Sequence, residues 1–408
     1  MKIFLRIGIA LLLCVGVFVS LSSCTLYLSA DNLSKHYKSK REAQGQVTNE
    51  GIVAAYRLAL GLLEETDKSQ NQLLSPLSVM LALGMTANGA EGETKAQMEQ
   101  ALGMTTEETN AFLSAVLSNA DGDVVNFAQS IWFRDEEISV LPEFLQTNAD
   151  YYGADAYAAK FDQSTVRDIN NWVEHHTDGM IDKLLDRIDP AAMMYLISAL
   201  AFDAKWETPY KKSQIFEDFF ITADGTPQSV ELMHSEEGRY LSLDGALGVL
   251  KPYEGGRYAF AGILPPEGMS PADYLASLSA DEFTRLMTDV QYGKVDAKIP
   301  AFSFAGDYLL NDALKALGME LAFTDNADFS KIDKTLPLYI EEVKHKTFID
   351  VSAEGTRAAA VTSVGLNKCT AVAPDDTVYI HLNRPFVVVL LDTQTGLPLF
   401  VGTVNTVG

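Results

Sequence analysis

Three cysteines in 408 residues, Cys14, Cys24 and Cys369, are too few for a disulfide framework. No CxxC, GxSxG, HExxH or P-loop pattern occurs, so redox, hydrolase, zinc-peptidase and nucleotide chemistry all lack their usual signatures. Six histidines are scattered along the chain. Only His175 and His176 are adjacent, and on a helix neighbours point about 100° apart, so they read as surface groups. No residue set asks for a cofactor or a metal, and no enzyme is expected. Positive charge is scarce: 31 Lys and Arg against 55 Asp and Glu leave a net charge of −24. Such an acidic surface argues against nucleic acid as a partner and favours solubility. The apolar run Ile7 to Val19 is short for a spanning helix. Neither a repeat nor a glycine- or proline-rich boundary divides residues 49–408, which implies one domain.

What is present begins with a targeting segment. Lys2 and Arg6 precede the apolar run, and Leu21-Ser22-Ser23-Cys24 resembles the bacterial lipoprotein cleavage box. That resemblance implies loss of residues 1–23, lipidation of Cys24 and an extracytoplasmic, membrane-anchored product. The alternative is a plain secretory peptide with an incidental cysteine. Removal of Lys2 and Arg6 leaves a net charge of −26, and Cys369 becomes the one unlipidated thiol. Residues 24–48 read as a polar tether, with Lys35, His36, Lys38, Lys40 and Arg41 solvated.

The folded domain is expected from Asn49. Ile52, Tyr56, Ala59, Leu60 and Leu63 recur at helical spacing, with Asn49 as the cap. Ser75-Pro76 places a hydroxyl at an N-cap and proline in the first turn. Further helices are expected near 107–118, 139–152, 165–176, 270–288 and 306–317. Strands are expected near 123–133, 193–204, 247–264, 289–303 and 336–350. Phe386–Leu391 reads as a strand buried on both faces. Helices early and strands late indicate an α+β fold with large, mostly antiparallel sheets.

The segment 354–368, EGTRAAAVTSVGLNK, reads as a strand held in reserve. One pleat face would carry Thr356, Ala358, Ala360, Thr362, Val364 and Leu366, none of them charged. The other carries Arg357, Ala359, Val361, Ser363, Gly365 and Asn367. No proline intervenes before Pro374, yet the alanine-rich middle is poor material for immediate strand formation. The same pattern also fits an ordinary Ala/Ser/Thr surface loop.

Several motifs in a fixed order carry a family likeness across 49–408. They are Asn71-Gln72-Leu73-Leu74-Ser75-Pro76-Leu77-Ser78 with Gly89-Ala90 and Thr94, and Ile169-Asn170-Asn171-Trp172-Val173-Glu174 with Thr177, Gly179 and Ile181. Ser198-Ala199-Leu200-Ala201-Phe202 to Trp206, Ile299-Pro300-Ala301-Phe302, Ala327-Asp328-Phe329-Ser330, Asn383-Arg384-Pro385-Phe386 and Leu399-Phe400-Val401-Gly402 follow. In these the chain resembles the serpins.

The resemblance implies a suicide substrate for serine, or alternatively cysteine, proteases, with an exposed reactive-centre loop. A protease cuts the loop and is acylated. The loop then inserts in the central sheet before deacylation. Glu354, Gly355, Thr356, Arg357, Ala358, Ala359 and Ala360 would form the hinge. The cut would fall between Cys369 and Thr370, or after Lys368 in a register one residue shorter. Cys369 would suit elastase- or subtilisin-like enzymes, and Lys368 trypsin-like ones. A free Cys369 is also open to oxidation. Ser75, Ser78, Ser198 and His345 are implied in a buried polar cluster where the sheet opens, and Trp206 beside the insertion point. Where the family has asparagine this chain has Ser198; where acids are common it has Ala353 and Arg357. Arg357 is expected to face outward. The expected partner is a protease bound by a monomer; a non-inhibitory binding or scaffold serpin is the alternative.

Overall fold

Short polar side chains start most of the helices. Thr48, Ser75, Thr105, Asp162, Ser270 and Ser279 each accept a backbone N–H of the first turn. The computed structural model describes residues 27–39, 46–135, 138–189, 192–357 and 376–407. The chain forms β1 (Asp31–Asn32), α1 (Asn49–Glu64), β2 (Gln72–Leu74), α2 (Pro76–Ala87), α3 (Gly92–Leu102) and α4 (Thr106–Asn119). Then come β3 (Val125–Arg134), α5 (Pro142–Tyr152), β4 (Asp155–Ala159) and α6 (Gln163–His176). Strands follow: β5 (Met194–Phe202), β6 (Ala204–Lys205), β7 (Ile215–Ile221), β8 (Pro227–Leu243), β9 (Ala246–Pro252) and β10 (Tyr258–Leu264). After α7 (Pro271–Ala276) and α8 (Ala280–Thr288) come β11 (Gln291–Pro300), β12 (Phe302–Leu309), α9 (Asn311–Ala316), β13 (Lys344–Val351) and β14 (Gly355–Thr356). The last strands are β15 (Val378–His381), β16 (Phe386–Asp392) and β17 (Pro398–Val404).

One sheet runs β15-β11-β8-β9-β10-β16-β17-β2, with β7 on β8. A second runs β1-β4-β3-β5, and a third β12-β13-β14-β6. Only Asp203 separates β5 from β6, so the second and third sheets are joined through that strand. β5 and β13 are in contact but share no ladder among the described residues. That seam is where a further strand would fit. Every residue of α2 is buried, as is every residue of β16, so both are wrapped by the core.

Several expectations change in detail. Thr48, not Asn49, caps α1, because its Oγ1 accepts the Gly51 N–H at 3.2 Å. The run 306–317 is strand to Leu309 and helix only from Asn311, because Gly306–Leu309 pair with Lys344–Thr347 of β13. The runs 247–264 and 270–288 each divide into two elements, β9–β10 and α7–α8. His176 is half-buried, its ring stacked on Trp172 at 4.2 Å. The stretch read as tether is docked over its described part. Ser29 N, Ser29 Oγ and Ala30 N all donate to Asp168 Oδ2, at 2.9, 2.6 and 3.1 Å. Asp31 and Asn32 then pair with Ala158 and Tyr157, which covers the edge of β4.

Candidate functional site

β14 is two residues long, and its sequence explains why it lies where it does. Gly355 pairs with Lys205 and Thr356 with Ala204, while Thr356 also pairs with Val351. A Cβ on Gly355 would collide with the Ala204 carbonyl oxygen, so only glycine lets the strand approach β6 this closely. Thr356 is 3% exposed, and its Oγ1 is 2.5 Å from the Tyr253 hydroxyl. Burial pushes the Tyr253 phenol up, so it stays protonated at any ordinary pH. The expected hinge therefore holds its first inward residue inside the sheet.

Backbone bonds fasten the turn leading into β14. Trp206 N donates to Glu354 O, and Tyr210 N to Ala353 O, both at 2.9 Å. Ala353, where an acid was the expected contact, is thus held through its carbonyl. Trp206 sits beside this point as expected: its indole Nε1 donates to Ser352 O at 2.8 Å, and its ring stacks on Tyr253 at 4.5 Å. Beneath lies a charged pair that sequence reading missed. Lys251 Nζ meets Glu237 Oε1 at 2.7 Å, with side chains 3% and 12% exposed. The ammonium also lies 4.4 Å from the Tyr210 ring centroid and 5.5 Å from that of Trp206. Its signal in the sequence was a lone lysine ending the apolar run Ala246–Leu250.

The second cluster lies lower on the seam. Ser75 caps α2, accepting the Ser78 N–H on its Oγ at 3.3 Å, and its own N–H donates to His345 Nε2 at 2.9 Å. Burial pushes His345 down to about 4, so the ring is neutral and Nε2 is free to accept. Thr347 Oγ1 donates to Leu73 O, and Tyr308 OH accepts from Leu73 N, both at 2.8 Å. The hydroxyls of Ser78 and Ser198 are buried without a hydrogen-bond partner. Of the four residues expected to cluster here, Ser75 and His345 are bonded to each other, whereas the hydroxyls of Ser78 and Ser198 make no hydrogen bond.

At the far end of the loop, β15 runs parallel to β11. His381 Nε2 reaches Asp296 Oδ1 at 2.8 Å, and His234 Nε2 reaches Oδ2 at 3.1 Å. Partial burial raises the Asp296 carboxyl, but the bonds from His381 and His234 outweigh it and the net shift is downward. Arg357, expected on the outward face, is half-buried and bonded to the turn after α6. Ala358, Ala359, Ala360, Lys368, Cys369, Thr370 and Cys24 lie outside the described residues.

A two-residue strand thus lies between β6 and β13, above a seam where β5 and β13 touch without pairing among the described residues. The family model for serpin (serine protease inhibitor) matches residues 54–407. The chain belongs to the serpin family. It is 30% identical to an uncharacterized serpin-like protein of Thermococcus kodakarensis, over 83% of this chain and 81% of that one. Its structure is similar to the thermophilic serpin Tengpin in the native state, with TM-score 0.87 and 42% identity over 93% of this chain and all of that one. Against Tengpin in the latent state the TM-score is 0.79, with 40% identity over 90% of this chain and all of that one.

Proposed function

We propose that this chain inhibits serine proteases as a suicide substrate and traps them by inserting its cut loop between β5 and β13. One observation carries this reading: Thr356 already occupies the top of that seam, paired on both sides. Continuing both antiparallel registers for six residues brings Thr362 level with Ser198 on one side and His345 on the other. Thr362 shares the pleat face of Thr356, which points inward, so a hydroxyl would arrive beside the unpartnered Ser198 Oγ. Ala358 and Ala360 precede it and need little room. A strand from Thr356 to Lys368 would span about 43 Å, long enough to carry an acylated protease far from the entry end. The better fit to native than to latent Tengpin supports a molecule with its loop still to be inserted.

Elastase- or subtilisin-like enzymes that cut after Cys369 are the proposed targets. The test is incubation with a panel of such proteases. A complex stable to boiling in detergent, with release of a C-terminal peptide beginning at Thr370, is the expected result. Clean cleavage without a complex would instead favour a non-inhibitory binding or scaffold serpin. We also propose that Cys24 carries lipid and anchors a monomeric inhibitor outside the cytoplasm, a reading supported by Leu21-Ser22-Ser23-Cys24. Partition of the full chain into detergent, lost in Cys24→Ser, tests it.

A further inference from the structure

Arg357 interrupts the growing strand. It is one of four non-glycine residues with positive φ among those described, at +47°. A left-handed arginine is unfavourable and persists only where its surroundings hold it. Its backbone N donates to Asp350 O at 2.8 Å, the bond that the Thr356–Val351 register already gives an extended residue, so it does not oppose insertion. What holds this residue back is its side chain, whose Nη2 donates to Asp178 O at 3.2 Å. Asp178 sits in the turn that follows α6 and is itself left-handed, with φ at +48°. The charge is answered as well. Burial raises the Asp203 carboxyl, and the Arg357 cation opposes that rise. A cleft of about 450 Å³ on this side of β6 is lined by four acids, Asp123, Asp178, Asp203 and Glu254, against one cation, Lys205. The geometry is unfinished, since the Arg357 Nη1 is buried without a partner.

These contacts have a consequence for insertion. For β14 to lengthen past Thr356, residue 357 must turn from left-handed to extended backbone. Its side chain must then leave the Asp178 carbonyl and swing to the outer pleat face. We infer that Arg357 is a catch: a positioning residue that stops the intact loop after Thr356 and so delays unprompted insertion. This inference rests on the insertion reading above. The catch joins the hinge to the end of α6, so insertion and the release of that turn are one event. An alanine at 357 would prefer the extended region and extend β14 without breaking any side-chain bond.

The test follows intact protein held at a fixed temperature below its melting point. Native gels and melting curves report the fraction that turns into a species melting like loop-cleaved protein. Arg357→Ala is expected to shorten the half-life of the intact form about fivefold, the weight of one partly exposed charged hydrogen bond. Arg357→Lys, which keeps the cation, restores much of it. Asp203→Asn shortens it about twofold and leaves the hinge backbone untouched, so it carries the test if Arg357→Ala does not fold. A general structural weakening would lower the melting point of all three without the rescue by lysine. An unchanged or longer half-life in both Arg357→Ala and Asp203→Asn overturns the catch, as does failure of either to convert at all. Loop-cleaved wild type is the control. If its melting temperature does not rise, the insertion reading fails; if it rises while the variants keep the wild-type half-life, only the catch fails.

Discussion

The two stretches that flank residues 358–375 are held in different ways. At the hinge end, Thr356 is buried and paired on both sides, over stacked Trp206 and Tyr253 and an enclosed Lys251–Glu237 pair. At the far end, β15 pairs with one strand among the described residues; Ile380 anchors it in the core, and its polar fastening is a partly exposed carboxylate between two imidazoles. Buried contacts are unforgiving of the wrong residue, because a charge there finds no solvent. Exposed polar contacts are forgiving, because water replaces what is lost. On the proposed insertion mechanism, the hinge end would decide whether insertion starts, and the far end would hold the loop's exit in place.

The sharpest way to break this contrast is Thr356→Arg. It forces a cation into a site now 3% exposed, and covalent trapping is expected to fall at least about tenfold while cleavage continues. Complex yield against cut inhibitor, read on a denaturing gel, measures it. Unchanged trapping would mean that insertion does not start at this residue. Next comes Lys251→Met, which leaves Glu237 under the hinge with the Ser235 hydroxyl as its partner and should cost about 3 kcal/mol in urea unfolding. Adding Glu237→Gln should return part of that loss. A loss below about 1 kcal/mol would show the pair to be solvated like a surface one.

His345 lets pH sharpen the same contrast. Its folded value of about 4 lies below the ordinary 6.5, so between these limits the unfolded chain takes up a proton that the folded chain refuses. Stability should fall by about 3 kcal/mol as pH drops through that window and level off below it. Denaturant midpoints from neutral pH down to about pH 4 measure this, and His345→Gln should flatten the curve. The smallest effect is expected at the far end. Asp296→Ala should cost about 1 kcal/mol at neutral pH and nothing once acid has protonated the carboxyl. A cost as large as that at Lys251 would erase the difference between the two ends.

Much of this was legible along the chain because it repeats at short range. The caps at Ser75 and the continuous apolar strand at Phe386 are local patterns, and both stand in the structure. The alternation that begins at Thr356 predicted which face is inward, and the buried Thr356 lies on that face. The failures have a common cause. The helix expected from residue 306 yielded to pairing with β13, a partner about forty residues away. Lys251 and Glu237 sit on separate strands, and neither advertises the other. Arg357 was read by pleat parity, and parity does not apply to a left-handed residue.

Local chemistry thus settled where most helices begin and that Phe386–Leu391 is wrapped in core, and the ordered motifs carried the likeness to the family to which the chain belongs. Folding in three dimensions decided the rest. It set the burial and pairing of Thr356, which charges lie beneath it, and which contacts Arg357 makes. The reason is physical. Caps and periodicity act over a few residues, whereas desolvation and backbone strain depend on which distant segments close over a group.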